Sequence, residues 1–319
     1  MRKMTNNNEE KNYGISKTLI VFDGVFVLLI MIMIFAIYSS SNVQVVKEVP
    51  KPGKISINPF DSLKLEARAA YVFDVSKNEA IFKKNEFAQL PLASVTKLMM
   101  ALTATDLLPE DSKITIRNEF IQEEGDSGLF VNESWRLKDL LDFSLLVSSN
   151  DGARSIASVV GAFDIKSEDY NLGRKDFIMK MNDRAQILGL KEMYFTNESG
   201  LDEGSVSGGY GSAIDVEKLM QYILQNKPEI LETTKYESVD INSLSRKHTA
   251  KNTNIVADQI PGLLASKTGY TDLAGGNLAV AFDSSIGRPI IVVVLGSSLD
   301  GRFEDVNKLV KASLEYIGE

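Results

Sequence analysis

The 319-residue chain contains no cysteine. That excludes disulfides and cysteine-based zinc sites and leaves the redox compartment unmarked. It contains one histidine, His248, which weighs against a histidine base or a histidine metal cluster. It lacks a basic excess: the formal charge of −8 argues against nucleic acid as the main partner. No internal repeat is visible, and the only low-complexity stretch is a short polar one after residue 38. What is present is 44% hydrophobic content, enough to bury a substantial core as one large domain or two small ones.

Charge is unevenly spread. Residues 1–58 hold seven Lys/Arg and four Asp/Glu, and the remainder holds 28 basic and 39 acidic residues. This split suggests a basic anchor segment followed by an acidic soluble domain. The run TLIVFDGVFVLLIMIMIFAIY, residues 18–38, has a single charge, Asp23, and a bilayer-spanning helix needs roughly 20 apolar residues. Arg2, Lys3, Lys11 and Lys17 precede it, partly offset by Glu9 and Glu10. The positive-inside rule therefore expects residues 1–17 as a cytoplasmic tail and all that follows the span on the extracytoplasmic side. A cleaved signal peptide, with Ser39 and Ser41 as small residues at the cut, is the competing reading. The apolar stretch is long for that and no A-x-A follows, so an uncleaved, single-pass anchor is favoured. Residues 39–58, polar with two prolines and a glycine, read as a tether, and 59–319 as the folded domain.

Apolar runs on both sides of SKNE, within residues 67–87, predict a two-stranded hairpin. A helix is expected from about Ser94 to Leu107. Another is expected over residues 135–149, with Leu137, Leu140, Leu141, Leu145 and Leu146 on one face. ARSIASVVGAF, KDFIMKMNDRAQILGL (with Gly189 as its stop) and VEKLMQYILQN continue the helical middle. GLLASKTGY, GGNLAVAFDSS and PIIVVVLGSS read as strands, and FEDVNKLVKASLEYI as a closing helix. Close-spaced strands with short turns favour antiparallel pairing. The expected fold is α+β, an antiparallel sheet flanked by helices with an inserted helical subdomain.

PLASVTKLMMALTA, residues 91–104, sets Ser94 and Lys97 one helical turn apart in an otherwise apolar run. A serine hydroxyl is a poor nucleophile until a base takes its proton, and a lysine of depressed pKa can be that base. Alone, S-V-T-K reads first as an N-cap with a snorkelling lysine. VSSNDGA, residues 147–153, offers Ser148 and Asn150 at a turn, where capping chemistry is the ordinary explanation. ASKTGYTDLAGGNLAVAF, residues 265–282, offers Lys267, Thr268 and Gly269 in a strand, where an exposed edge lysine is the ordinary explanation. All three together, in this order, are far less easily accidental.

The triplet S-x-x-K, S-x-N, K-T-G marks class A β-lactamases and penicillin-binding proteins. From about Ala67 to the C-terminus the chain resembles the serine D-Ala-D-Ala carboxypeptidases, the low-molecular-mass penicillin-binding proteins. LPLASVTKLMMAL, LKDLLDFSLLVSSNDGA, LGLKEMYFTNESGLDE and PGLLASKTGYTDLAGGNLAVA carry the likeness. The resemblance implies a bacterial cell-membrane enzyme of β-lactamase/DD-peptidase-like fold, with no cofactor and no metal. Its substrate would be the peptidoglycan stem peptide ending in D-Ala-D-Ala, and β-lactam antibiotics would be its inhibitors. Ser94 would form the acyl-enzyme, Lys97 would accept its proton, and Ser148 would relay a proton to the leaving amine. Asn150 would hold the substrate amide, and Lys267 and Thr268 the terminal carboxylate. A cationic Lys267 would also depress the Lys97 pKa. Gly269 would admit a close backbone approach, and the N–H groups of Ser94 and Tyr270 would form the oxyanion hole.

The chain departs from that family in places. Ser149 fills the middle of S-x-N, which opens Ser149-Asn150-Asp151 as a second register; Ser148 is preferred. Ser266 stands where glycine is frequent and is expected to narrow the cleft floor. A β-lactamase of the same fold is one alternative: Glu168-Asp169-Tyr170-Asn171 matches E-x-x-N, but lies in the polar stretch DIKSEDYNLGRKD, read as a solvated loop. A non-catalytic peptidoglycan-binding module is another, although no catalytic residue is lost. His248 reads as a surface loop residue.

Overall fold

The computed structural model describes residues 17–40, 58–125 and 128–318. The chain divides into two units, Met1–Ser56 and Ile57–Glu319. In the first, Lys17–Ser40 form helix α1, whose large apolar side chains from Phe26 to Tyr38 are exposed. Among the residues whose side chains are described, no helix is long and apolar enough to cross a membrane. The expected tail and tether lie almost wholly outside the described residues.

In the second unit β1 (Ala69–Asp74) and β2 (Glu79–Lys84) form the expected antiparallel hairpin. After β3 (Leu90–Pro91) the chain makes a 3-10 turn, Ala93–Thr96, that runs on as α2 (Lys97–Leu107). β4 (Lys113–Thr115) pairs with β5 (Ser134–Arg136), Ile114 opposite Trp135. That pairing takes Trp135 and Arg136 out of the helix expected over 135–149, leaving α3 as Leu137–Leu146; a distant strand partner overrides local periodicity.

α4 (Asn150–Asp164) starts earlier than its apolar run, because Ser149 caps it by accepting from the Gly152 N–H. The stretch read as a solvated loop is helical from Tyr170 onward. Asp169 caps α5 (Tyr170–Ile187) by accepting from the N–H groups of Asn171 and Leu172. Gly189, at φ +67°, ends α5 as expected: its own N–H and that of Leu190 turn back to the carbonyls of Gln186 and Ala185. β6 (Tyr194–Phe195) and β7 (Gly209–Gly211) join β3 in a small sheet. α6 (Ala213–Asn226) follows, then the hairpin β8 (Ser238–Asn242) and β9 (Lys247–Lys251). β10 (Leu263–Thr271), β11 (Gly275–Asp283), β12 (Pro289–Ser297) and α7 (Gly301–Gly318) close the chain.

The main sheet runs β10-β11-β12-β1-β2, antiparallel throughout. Successive strand side chains face opposite sides, so each buried strand feeds two cores. Tyr71, Ala279, Ile291 and Val293 join the helical core with Met99, Leu102, Phe177 and Met220. Val72, Val280, Val292 and Val294 join a second core under α7 with Val306 and Leu309. Burial on both faces explains why these strands read as continuous apolar runs. The α+β architecture with an antiparallel sheet between helices is as expected, and β10 lies at one edge of that sheet, beside the turn that carries Ser94.

Candidate active site

The site is assembled from three chain segments. The 3-10 turn Ala93–Thr96 eclipses residues three apart, which brings the Lys97 Nζ to 2.9 Å from the Ser94 Oγ. Ala93, immediately before, has φ +46°, a region a residue with a Cβ rarely enters. Lys97 is fully buried. Its amine also reaches the Asn150 Oδ1 at 2.7 Å and the Ser199 carbonyl at 2.9 Å.

Ser148 sits between α3 and α4 at φ +61°. This strained conformation aims its hydroxyl at the Lys267 Nζ, 2.9 Å away. Ser149, 2% exposed, accepts from the Gly152 N–H at 2.8 Å. The serine that meets a lysine is therefore Ser148, and Ser149 serves α4. Asn150, expected to hold substrate, is engaged at both ends of its amide, since its Nδ2 donates to the Glu124 carbonyl at 2.8 Å.

On β10, Lys267 is buried and donates to the Thr268 carbonyl as well as to Ser148. The Thr268 Oγ1 lies 2.6 Å from the Thr253 Oγ1. A Cβ at Gly269 would lie 2.8 Å from the Leu92 carbonyl oxygen and 3.0 Å from the Ser94 nitrogen, so the strand passes the turn at backbone contact distance. Tyr270 follows, half exposed at the cleft rim. Ser266 does not narrow the cleft floor: it is 2% exposed and its hydroxyl donates to the Thr234 carbonyl. Two depressions meet at Asn150. One, about 460 Å³, is lined by Ser148, Thr249 and Lys251; the other, about 340 Å³, by Glu124, Asp202 and Tyr270. A larger apolar groove, about 540 Å³ and lined by Val75, Leu224 and Ile291, lies away from every one of these groups.

Burial pushes the Lys97 amine down to about 7, with Glu198 and Glu123 opposing it. Burial also holds Lys267 well below the usual lysine range, and the positive charges of Lys97 and Arg302 act in the same direction. Desolvation, rather than the expected charge of Lys267, is thus the main cause of the Lys97 depression.

His248 is not a surface loop residue. It lies on β9 with its side chain 9% exposed, its Nε2 2.7 Å from the Glu133 Oε1. Trp135, Phe143 and Phe130 surround its ring. Glu168 and Asn171 line a separate surface depression with Arg117. Among the described residues no group of His, Cys, Asp and Glu is arranged to hold a metal. Sequence reasoning missed Ser199, Glu124, Thr253 and Arg302. LGLKEMYFTNESGLDE, which contains Ser199, carries part of the family likeness, but the Ser199 and Glu124 contributions are backbone carbonyls that side-chain identity cannot signal.

A serine on a 3-10 turn with a buried lysine amine 2.9 Å away, beside the edge strand of this sheet, matches the penicillin-binding-protein type of fold. A D-alanyl-D-alanine carboxypeptidase from Mycobacterium tuberculosis superposes with a TM-score of 0.70 at 25% identity, over 81% of this chain and 96% of that one. Penicillin-Binding Protein D2 from Listeria monocytogenes, in its cefotaxime-bound form, gives 0.65 at 28% identity, over 78% and 98%. The chain belongs to the peptidase S11 family, D-alanyl-D-alanine carboxypeptidase, whose profile matches residues 56–298. Among its relatives are the D-alanyl-D-alanine carboxypeptidase DacF of Bacillus subtilis and a D-alanyl-D-alanine endopeptidase of Haemophilus influenzae. DacF is 28% identical over 77% of this chain, which spans 61% of its length. The endopeptidase is 30% identical over 66% of this chain and 69% of its own.

Proposed function

We propose that this chain is a serine D-Ala-D-Ala carboxypeptidase that removes the terminal D-alanine from peptidoglycan stem pentapeptides and is acylated by β-lactams. The observation that carries this is the buried Lys97 amine, 2.9 Å from the Ser94 hydroxyl and partly neutral near pH 7. Lys97 takes the Ser94 proton as Oγ attacks the carbonyl of the penultimate D-alanine. The N–H groups of Ser94 and Tyr270 receive the oxyanion, a contribution of roughly 3–4 kcal/mol per donor.

The substrate carboxylate docks at Lys267 and Thr268. Its charge favours the ammonium form of Lys267, and repulsion between the two amines then keeps Lys97 as the free base. As the C–N bond breaks, Ser148 passes its proton to the leaving amine and takes up the one that Lys97 accepted from Ser94, so that Lys97 is again neutral for the hydrolytic step and Lys267 stays charged on the substrate carboxylate. Asn150 keeps Lys97 aligned through its Oδ1 and, with one Nδ2 hydrogen on the Glu124 carbonyl, offers the other to the peptide. Water then hydrolyses the ester, restores the Ser94 proton and frees the shortened peptide.

Against a β-lactamase, Glu168 lines a depression with Arg117 and Tyr170 rather than those that hold Ser148 and Asn150, and the carboxylates that bear on Lys97 are Glu198 and Glu123. Of these, Glu198 is paired with Arg174 and Glu123 with Arg154.

Residues 18–38 are proposed as a single-pass membrane anchor with residues 1–17 in the cytoplasm. Their single charge and the exposed apolar side chains of α1 support this, as does a substrate that lies outside the membrane. Extraction by alkaline carbonate, expected to leave the chain with the membrane, tests it; release into the soluble fraction would discard the anchor.

The enzymatic reading is tested by release of free D-alanine from a peptide ending in D-Ala-D-Ala, comparing the full chain with Ser94→Ala. Release that vanishes with the substitution is expected. A folded wild-type chain that releases none sinks the reading, and cleavage only of cross-linked peptide dimers would favour an endopeptidase.

A further inference from the structure

Arg302, in the first turn of α7, is 8% exposed and takes part in no ion pair among the described residues. Burial disfavours its charge, with the Asp300 carboxylate opposing, and a buried cation with no ion-pair partner is costly, so something must be gained from its position. Its Nη1 donates to the Gly269 carbonyl at 2.7 Å, a short, charge-assisted contact. Its Nε has no partner, and its guanidinium lies 4.7 Å from the Phe303 ring centroid. The side chain reaches the carbonyl past Gly276, where a Cβ would come within 3.2 Å of the Arg302 Cδ.

The Gly269 carbonyl and the Tyr270 N–H belong to one peptide unit. In a planar trans peptide these two groups point in opposite directions, and no cis bond occurs among the described residues. Arg302 draws the carbonyl to its side, so the N–H faces away from it. At Gly269 the strand's near neighbour is the Ser94 turn, where a Cβ would lie 3.0 Å from the Ser94 nitrogen. A cation on the carbonyl also polarises the unit, which makes the N–H a stronger donor.

We propose that Arg302 is a positioning residue for the oxyanion hole: its guanidinium orients and polarises the Gly269–Tyr270 peptide, so that the Tyr270 N–H meets the oxyanion formed when Ser94 attacks. This rests on the acyl-transfer reading above. It is tested in the full-length chain with cefotaxime, by measuring the acylation rate constant and the infrared stretching frequency of the acyl-enzyme ester carbonyl. Hydrogen bonding in the hole lowers that frequency, whereas a merely structural role for Arg302 would leave it alone.

Arg302→Gln is expected to raise the frequency and to slow acylation about tenfold, less than the 10²–10³-fold cost of deleting a donor outright. Arg302→Lys, which keeps a cationic donor, is expected to lie between it and wild type. A frequency identical to wild type in whichever variant folds overturns the proposal, even where acylation is slowed. A wild-type chain that cefotaxime does not acylate would overturn the proposed function and this inference together.

Discussion

A neutral amine has two hydrogens and one lone pair, and Lys97 is surrounded to match. As an ammonium it donates to the Ser94, Asn150 and Ser199 oxygens; once neutral it can keep the Asn150 and Ser199 oxygens, which only accept, and turn its lone pair to the Ser94 hydroxyl. Only the neutral form is a base, and the amine's pKa is about 7. Acylation by a penicillin is therefore expected to rise about tenfold per pH unit below 7 and to level off above it; a profile flat from pH 5 to 9 would remove Lys97 as the base. Lys97→Arg, permanently charged, is expected to lose about 10²–10⁴-fold in acylation. Gly269 acts through what it lacks. Gly269→Ala would set a methyl against the Leu92 carbonyl and the Ser94 nitrogen, separating strand from nucleophile. A shift on the order of 1 Å in a reacting group costs about 10²-fold, so acylation is expected to fall by that much, and because the methyl meets backbone rather than a flexible side chain the urea midpoint is expected to fall as well.

At the scale of elements, the β8–β9 hairpin is fastened to β5 and its approach by one buried cluster. Burial alone would raise the Glu133 carboxyl. Hydrogen bonds from Ser243, His248 and the Phe130 N–H outweigh it and hold the group below its usual range. Stability from this depressed carboxyl is therefore present above its unfolded pKa and is lost as pH falls through the folded value. Leaving a buried carboxylate short of a hydrogen-bond donor costs up to about 3 kcal/mol, so His248→Ala, which removes the Nε2 contact to Glu133, is expected to lower stability by about that much by urea titration at pH 7. Thr249 and Lys251 of the same strand line the depression beside Ser148, so a raised KM should accompany the loss; unchanged stability would reduce His248 to filler. None of this was legible locally. His248 sits in SRKHTAKNTN, polar on both sides, and its partners Glu133, Trp135 and Phe143 are brought to it by chain folding. The helices and strands were legible because each carried its own period, and the failures cluster where tertiary pairing decided, as with Trp135 and Arg136 on β5. The site residues were legible as side-chain chemistry at short spacing, whereas Arg302, acting on a backbone carbonyl from another element, was not.

Over the whole domain, one sheet divides two cores, and the helical core encloses an acid that the proposed reaction does not use. Glu217, on α6, is 2% exposed, and among the described residues its Oε1 has no hydrogen-bond partner. Burial raises its pKa to about 8, with Lys218 opposing. Its nearness contributes, after burial, to raising the Tyr71 phenol to about 12. A raised carboxyl binds its proton in the folded chain while the unfolded chain has released it, between the unfolded value of 4.5 and the folded value of about 8. Stability is fully present below that window and is lost as pH rises across it. The two buried amines, Lys97 and Lys267, also respond to pH, but equally in wild type and in Glu217→Gln, so the difference between the two proteins isolates Glu217. Each pH unit is worth at most about 1.4 kcal/mol for a single group. Wild type is therefore expected to lose about 2 kcal/mol, relative to Glu217→Gln, when urea unfolding is moved from pH 5 to pH 7. Glu217→Gln should also unfold at the higher urea concentration at pH 7, since it replaces an acid held against its tendency to ionise by a neutral group of nearly the same shape. Parallel stability curves for the two proteins over that range would mean that Glu217 is ionised and satisfied in the fold.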